Sequence, residues 1–251
     1  MSAWPLGSRA GSLPLLVDPS SDLAKRSAAQ RAVEAVRPGE RLALGTGSTA
    51  AFAVRALAAR FPGVSWDCVA SSESTATLAR TLGIAVRELR GEDRFDRMID
   101  GADEVDDRLN LTKGGGGALL RERLLAELSE HVVIVVDPSK LVPRLGSRAL
   151  IPVEVVPFAR PTVAREIERD GFSTTVRRET DGRPFRTDNG NEILDLRPAA
   201  PLEDPGRAAA DLHRHTGVVG VGLFVGLATR VIVGYPDGRV EERRPRDPPA
   251  R

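Results

Sequence analysis

Lysine is scarce in this chain: of 36 basic residues only Lys25, Lys113 and Lys140 are lysine, and the other 33 are arginine. A chain that uses the planar guanidinium almost everywhere keeps the compact ammonium where a mobile point charge is needed. Cysteine is scarcer still. The single Cys68 excludes an intramolecular disulfide, makes a cysteine-rich metal site untenable and fits a reducing compartment. A formal net charge of +1 with 28% charged residues leaves no strong field for nucleic acid or an anionic membrane surface. No apolar run approaches the ~20 residues that span a bilayer, and the N-terminus lacks the basic start and long apolar stretch of a secretory signal. The expected location is the cytoplasm.

What is present fits one large domain or two unequal ones, since 251 residues exceed the ~100–200 usual for one domain. Residues 1–20 are rich in Gly, Pro and Ser, and residues 241–251 are charged and proline-rich; both read as disordered tails. Between them strand and helix signals alternate. Ser21 or Asp22 is the predicted cap of a first helix that stops at Arg37-Pro38-Gly39. Strands are predicted at 41–44, 65–69, 84–89, 95–99 and 131–136, with helices after Gly45-Thr46-Gly47-Ser48-Thr49, after Ser71 to Thr75, and over 118–129. This alternation implies right-handed crossovers and a mostly parallel sheet over residues 21–150, with helices on both faces. Residues 151–225 read as β-α-β-β-α-β, a small split βαβ domain. A last strand at 230–234, within a returning segment 226–240, is placed to rejoin the first sheet.

In such a sheet the polar loops share one address, the carboxyl ends of the strands, where ligands of open α/β sheets bind. Gly45 to Thr49 offers backbone N–H groups, hydroxyls and a helix N-terminus to an anion. It is neither a Walker A loop nor a Gly-x-Gly-x-x-Gly dinucleotide loop. Ser71 to Thr75 reads as a helix cap or a weaker ligand loop. Asp100-Gly101-Ala102-Asp103-Glu104 puts three acids in one small volume, which needs a cation or a donor-rich ligand to offset repulsion. Lys113 opens a run of four glycines whose ordering costs conformational entropy. Lys140 closes Asp137-Pro138-Ser139-Lys140. Glu122 has two readings: helix amphipathicity makes it a surface residue, whereas its place beside Lys113 and the aspartates suits a general base. His213 and His215 face apart on a helix, and no metal site is expected.

These motifs, in this order and spacing, resemble type A ribose-5-phosphate isomerase: Gly45-Thr46-Gly47-Ser48-Thr49, Asp100-Gly101-Ala102-Asp103-Glu104, Lys113-Gly114-Gly115-Gly116 with Arg121-Glu122, Asp137-Pro138-Ser139-Lys140, Thr187-Asp188-Asn189-Gly190-Asn191 and Gly217-Val218-Val219. The resemblance runs from about Lys25 to Gly238. It implies an α/β fold, a Rossmann-like, mostly parallel sheet with helices on both faces plus a small ferredoxin-like α+β domain. It further implies that Glu122 is the proton-transfer base, that Asp100 assists ring opening, and that Asp103 and Lys113 organise the sugar oxygens. Lys25, Thr46, Gly47, Ser48, Thr49, Gly114, Gly115, Gly116 and Lys140 are then the substrate and phosphate contacts, with Lys25 and Lys140 foremost for phosphate.

The implied activity is interconversion of ribose 5-phosphate and ribulose 5-phosphate in the non-oxidative pentose phosphate pathway, without cofactor or metal, by a homodimer or dimer of dimers. Its only partner is a small sugar phosphate. A sugar-phosphate sensor, or a sugar-phosphate deaminase or lactonase on the same fold, are the alternatives.

Overall fold

A computed structural model describes residues 19–245; most of the two predicted tails lies outside them. The chain runs α1 (Pro19–Glu34), β1 (Arg41–Leu44), α2 (Ser48–Arg60), β2 (Asp67–Ala70), α3 (Glu73–Thr81), β3 (Phe95–Asp100), β4 (Glu104–Val105), β5 (Leu111–Thr112), α4 (Leu119–Glu127) and β6 (Ser129–Val136). It continues through a single 3-10 turn (Pro138–Lys140), β7 (Ile151–Val155), α5 (Arg160–Arg169), β8 (Phe172–Val176), β9 (Glu192–Pro198), α6 (Pro205–His213), β10 (Val218–Val221), β11 (Leu223–Phe224), β12 (Arg230–Gly234) and β13 (Val240–Arg243).

The larger sheet has the order β13-β12-β6-β3-β1-β2, and all its pairs are parallel except the one β13 makes with β12. Its inner strands are buried on both faces, and alternation decides which side chain meets which helices. Leu42, Leu44, Val133, Val135 and Ile232 pack with residues of α1, α2 and α3. Their neighbours Ala43, Val132, Ile134, Val136, Val231 and Val233 pack on the other face with Leu125 and Ala126 of α4. Since β2 lies on one side of β1 and β3 on the other, the chain reverses direction across the sheet between β1 and β3. Outside the carboxyl ends of those two strands a ligand crevice opens.

The second sheet is antiparallel with the order β10-β7-β9-β8. Its first strand is flanked by its third and fourth, the ferredoxin-like order, and α5 and α6 close one face through Val163, Ile167 and Leu212. The chain leaves this sheet at Gly222. Lys113 N–H donates to the Gly222 carbonyl (2.9 Å), and Gly222 N–H donates to that of Pro152 (2.7 Å). Beyond this point β11 joins β5 and β4 in a small third sheet.

Several expectations are corrected. Helix α1 starts at Pro19, two residues before the predicted cap, so residues 19 and 20 are not part of a disordered extension. Residues 241–243, expected in a disordered tail, form most of β13. They make a charged edge strand, with Glu241 accepting from Tyr235 (2.7 Å) and Glu242 from Arg31 (2.7 Å). The predicted strand over 84–89 is reduced to one bridge, Val86 to Cys68. The last strand of the expected β-α-β-β-α-β segment breaks at Gly222 into β10 and β11, and β11 belongs to the third sheet.

Candidate active site

At the crevice between β1 and β3 the last residue of β3, Asp100, turns its fully buried carboxylate into the loop after β1. Its Oδ1 accepts from the backbone N–H of Thr46 (3.0 Å) and of Gly101 (2.7 Å). Gly45 makes this approach possible, because a Cβ there would lie 2.1 Å from Asp100 Oδ1. Lys113, at the end of β5, places its ammonium 2.9 Å from Asp100 Oδ2 and 3.1 Å from Glu122 Oε1. One buried cation thus bridges two buried carboxylates. Glu122 Oε2 has no hydrogen-bond partner among the described residues.

The other walls are loops at the same edge. Asp103 Oδ2 accepts from Gly115 N–H (2.8 Å), and a Cβ on Gly115 would strike that carboxylate. Gly47 begins α2 with φ at +106° and no side-chain cap among the described residues, so the first N–H groups of the helix, with its positive dipole end, face the cleft without a protein partner among them. Thr46, Gly47, Ser48, Thr49, Asp103, Lys113, Gly114, Gly115, Gly116, Glu122 and Lys140 all line one cleft of about 80 Å³.

Burial governs the electrostatics. It raises the Asp100 pKa above the ordinary carboxylate value, with Lys113 opposing. It pushes Glu122 up to about 8, again against Lys113, with Asp100 adding repulsion. For Lys113 burial acts to lower the pKa, but Asp100 and then Glu122 more than offset it, and the net shift is upward. The ammonium therefore stays charged, and the carboxylate beside it is a proton acceptor tuned toward neutral pH.

Residues 67–238 match the sequence model of the family described as ribose 5-phosphate isomerase A (phosphoriboisomerase A). This chain belongs to that family. The ribose-5-phosphate isomerase A of Chloroflexus aurantiacus is 50% identical over 222 residues, covering 87% of this chain and 92% of that one. The solved ribose 5-phosphate isomerase A of Methanocaldococcus jannaschii superposes with a TM-score of 0.82 at 35% identity, over 89% of this chain and 98% of that one. A D-ribose-5-phosphate isomerase solved in complex with phospho-erythronic acid gives the same TM-score at 32% identity, over 88% and 97% of the two chains.

Lys25 and Glu104 are placed differently from what the motifs suggested, and the Ser71 to Thr75 loop takes the first of its two readings. Lys25 is outside the cleft lining. It lies half-buried on α1, next to Ala24, whose carbonyl oxygen packs on Gly234 at the carboxyl end of β12. The Thr46 hydroxyl bonds Ser71 (2.7 Å) and Ser72 (2.8 Å), and Ser72 in turn caps α3, so the Ser71 to Thr75 loop serves as a cap. Glu104 does not join Asp100 and Asp103. It points the opposite way and accepts from Thr112 Oγ1 (3.0 Å) and from the N–H groups of Gly146 (2.7 Å), Arg148 (2.6 Å) and Ala149 (2.9 Å).

Proposed function

We propose that this chain interconverts ribose 5-phosphate and ribulose 5-phosphate, with Glu122 as the base that carries the proton. The observation that supports this most directly is the buried Lys113 ammonium held between Asp100 and Glu122, in a chain of this family. In the open-chain aldose the C2 proton is acidic only when charge on the carbonyl oxygen is stabilised. Glu122 removes that proton, and the electron pair moves through C2 and C1 onto O1, giving a cis-enediolate. The O2 proton passes to O1, and Glu122 returns its proton to C1, leaving the ketone at C2 and the carboxylate regenerated. A positioned base contributes ~10²–10⁴ in rate, and a preorganised cation at the developing oxyanion a further ~10²–10³. Lys113 is that cation.

Asp100, held by two backbone N–H groups, assists ring opening, and Asp103 with the Gly114 to Gly116 backbone orients the sugar hydroxyls. Lys140 and the N–H groups of Ser48 and Thr49 take the phosphate, with Lys25 of α1 as a further phosphate contact from outside the cleft lining. Phosphate binding then holds the substrate for reaction at its other end. The reaction so written needs neither metal nor redox cofactor. The working form is a cytoplasmic homodimer or dimer of dimers. Its catalytic unit spans residues 21–150 with the returning segment 226–240, beside a smaller unit over 151–225.

The test is to mix the purified protein with ribose 5-phosphate and a chelator in deuterated water and follow the products by NMR. Ribulose 5-phosphate should accumulate, with deuterium entering at the carbon that receives the proton. Failure to convert, with the ligand still bound, would favour a sugar-phosphate sensor and end the enzymatic reading.

A further inference from the structure

The segment Lys113 to Glu122 carries both the cation and the base, yet four of its ten residues are consecutive glycines. Such a run has the largest conformational freedom the backbone offers, whereas a working site holds its groups within about 0.5 Å. Something must remove that freedom, and the smaller sheet supplies it. Arg177, which follows β8, donates from Nη1 to the carbonyls of Gly114 (2.9 Å) and Gly115 (3.1 Å). Its guanidinium is gripped two-pronged by Asp195 of β9, with Nε to Oδ2 at 2.9 Å. The Phe185 ring stands where a Cβ on Gly117 would fall, 2.5 Å away.

A second fastening lies at the start of α4. Arg121 donates to Asn189 Oδ1 (2.9 Å), to the Asp188 carbonyl (3.1 Å) and to Glu73 Oε1 (3.0 Å). The turn it grips is pinned in turn to the buried Glu154 of β7. Thr187 Oγ1, Asn189 Nδ2 and Asn191 Nδ2 all donate to Glu154 Oε1, at 2.9, 3.1 and 2.9 Å.

We propose that Arg177 is a positioning residue for the isomerisation, fixing the glycine run so that Lys113 and Glu122 keep their register, with Arg121 as the second fastening. The proposal rests on the isomerase reading given above. Arg177 itself is not in the cleft lining and acts through the two carbonyls. A guanidinium serves because its rigid fork grips Asp195 with one edge while presenting another N–H to the loop; a lysine cannot do both in fixed geometry.

The decisive variants are Arg177→Lys, which keeps the charge, and Arg177→Ala. Displacing catalytic groups by about 1 Å costs ~10²-fold in rate, so kcat should fall ~10–100-fold in both, with KM and the melting temperature of Arg177→Lys little changed. Guanidinium ion, well below denaturing concentrations, should restore part of the kcat of Arg177→Ala and none of that of Arg177→Lys. Hydrogen–deuterium exchange should quicken at the amides of Gly115 to Gly117 in both. Wild-type kcat in Arg177→Lys, or a loss carried wholly by KM, would overturn the proposal, and Arg177→Lys decides the matter if Arg177→Ala does not fold. Should the wild-type protein itself fail to isomerise, the functional reading falls, while unchanged exchange in Arg177→Lys would separately remove the clamp.

Discussion

Glu104 and Glu122 are carboxylates buried to nearly the same depth, 1% and 2% exposed, and they live in opposite surroundings. Every lone-pair direction of Glu104 that matters is met, by a threonine hydroxyl and three backbone N–H groups of the 146–149 loop. Glu122 has one ammonium, and its second oxygen has no partner among the described residues. Donors stabilise an ionised carboxylate, and burial without them destabilises it. The saturated glutamate therefore fastens a loop, and the starved one has the raised proton affinity that the proposed base requires. Depth of burial says nothing of role until the donors are counted.

The sharpest way to break this contrast is Glu122→Gln set against Glu104→Gln. The first should lose ~10²–10⁴ in kcat with little change in KM, while the second keeps its turnover. Equal turnover in both would end the distinction.

Next in size, Glu104→Ala strands four donors, each costing about 1–3 kcal/mol when buried without a partner. Urea unfolding should show a loss of at least ~3 kcal/mol, with kcat per folded molecule almost unaltered. Gly45→Ala tests the opposite side of the site. Its methyl would overlap Asp100, so stability should drop by about 1–3 kcal/mol, and kcat should fall because Asp100 and its ion pair must shift.

The contrast also carries a dependence on pH. Glu122 binds its proton more tightly folded, at about 8, than at its ordinary value of 4.5, so between those values the native state holds more protons than the unfolded one. Stability from this group is then fully present below 4.5 and is lost as pH rises through 8. Asp100, also raised, acts in the same direction. Melting curves should show wild type losing ground to Glu122→Gln as pH climbs across that window, while wild-type kcat rises as the base ionises. A gap independent of pH would mean that Glu122 is ionised throughout.

Much of this was legible in the sequence, because the parallel strands are continuous apolar runs and the loops after them carry the glycines, hydroxyls and acids that ligand edges require. The strand expected over 230–234 coincides with β12. The inward turn of Glu122 was harder to read. The leucines at 119, 120, 124 and 125 suggest an apolar stripe that leaves an acid outside, yet Leu124 is 43% exposed and Glu122 is buried with Leu119 and Ala126. A site can invert the pattern by offering the acid a cation.

The β4–β5 hairpin escaped notice because two-residue strands carry no period, and β13 because Val240-Glu241-Glu242-Arg243 has the charge of a tail. That same charge suits an edge strand, which needs protection from pairing with another chain. Arg177 and Asp195 gave no signal either, since only the folded chain brings an arginine from one hairpin under glycines from another sheet.

One junction limits how this architecture can change. At Gly222 the chain crosses from one sheet to the next with its backbone bonded to Lys113, and a Cβ there would lie 2.3 Å from the Lys113 carbonyl oxygen. Spacing on either side of that crossing is locked to the spacing of the reaction centre, so descendants of this protein are free to lengthen the turn at Tyr235 to Arg239 but not the step from Val221 to Leu223. A single inserted residue there would move the Lys113 ammonium while leaving the identity of every cleft residue unchanged.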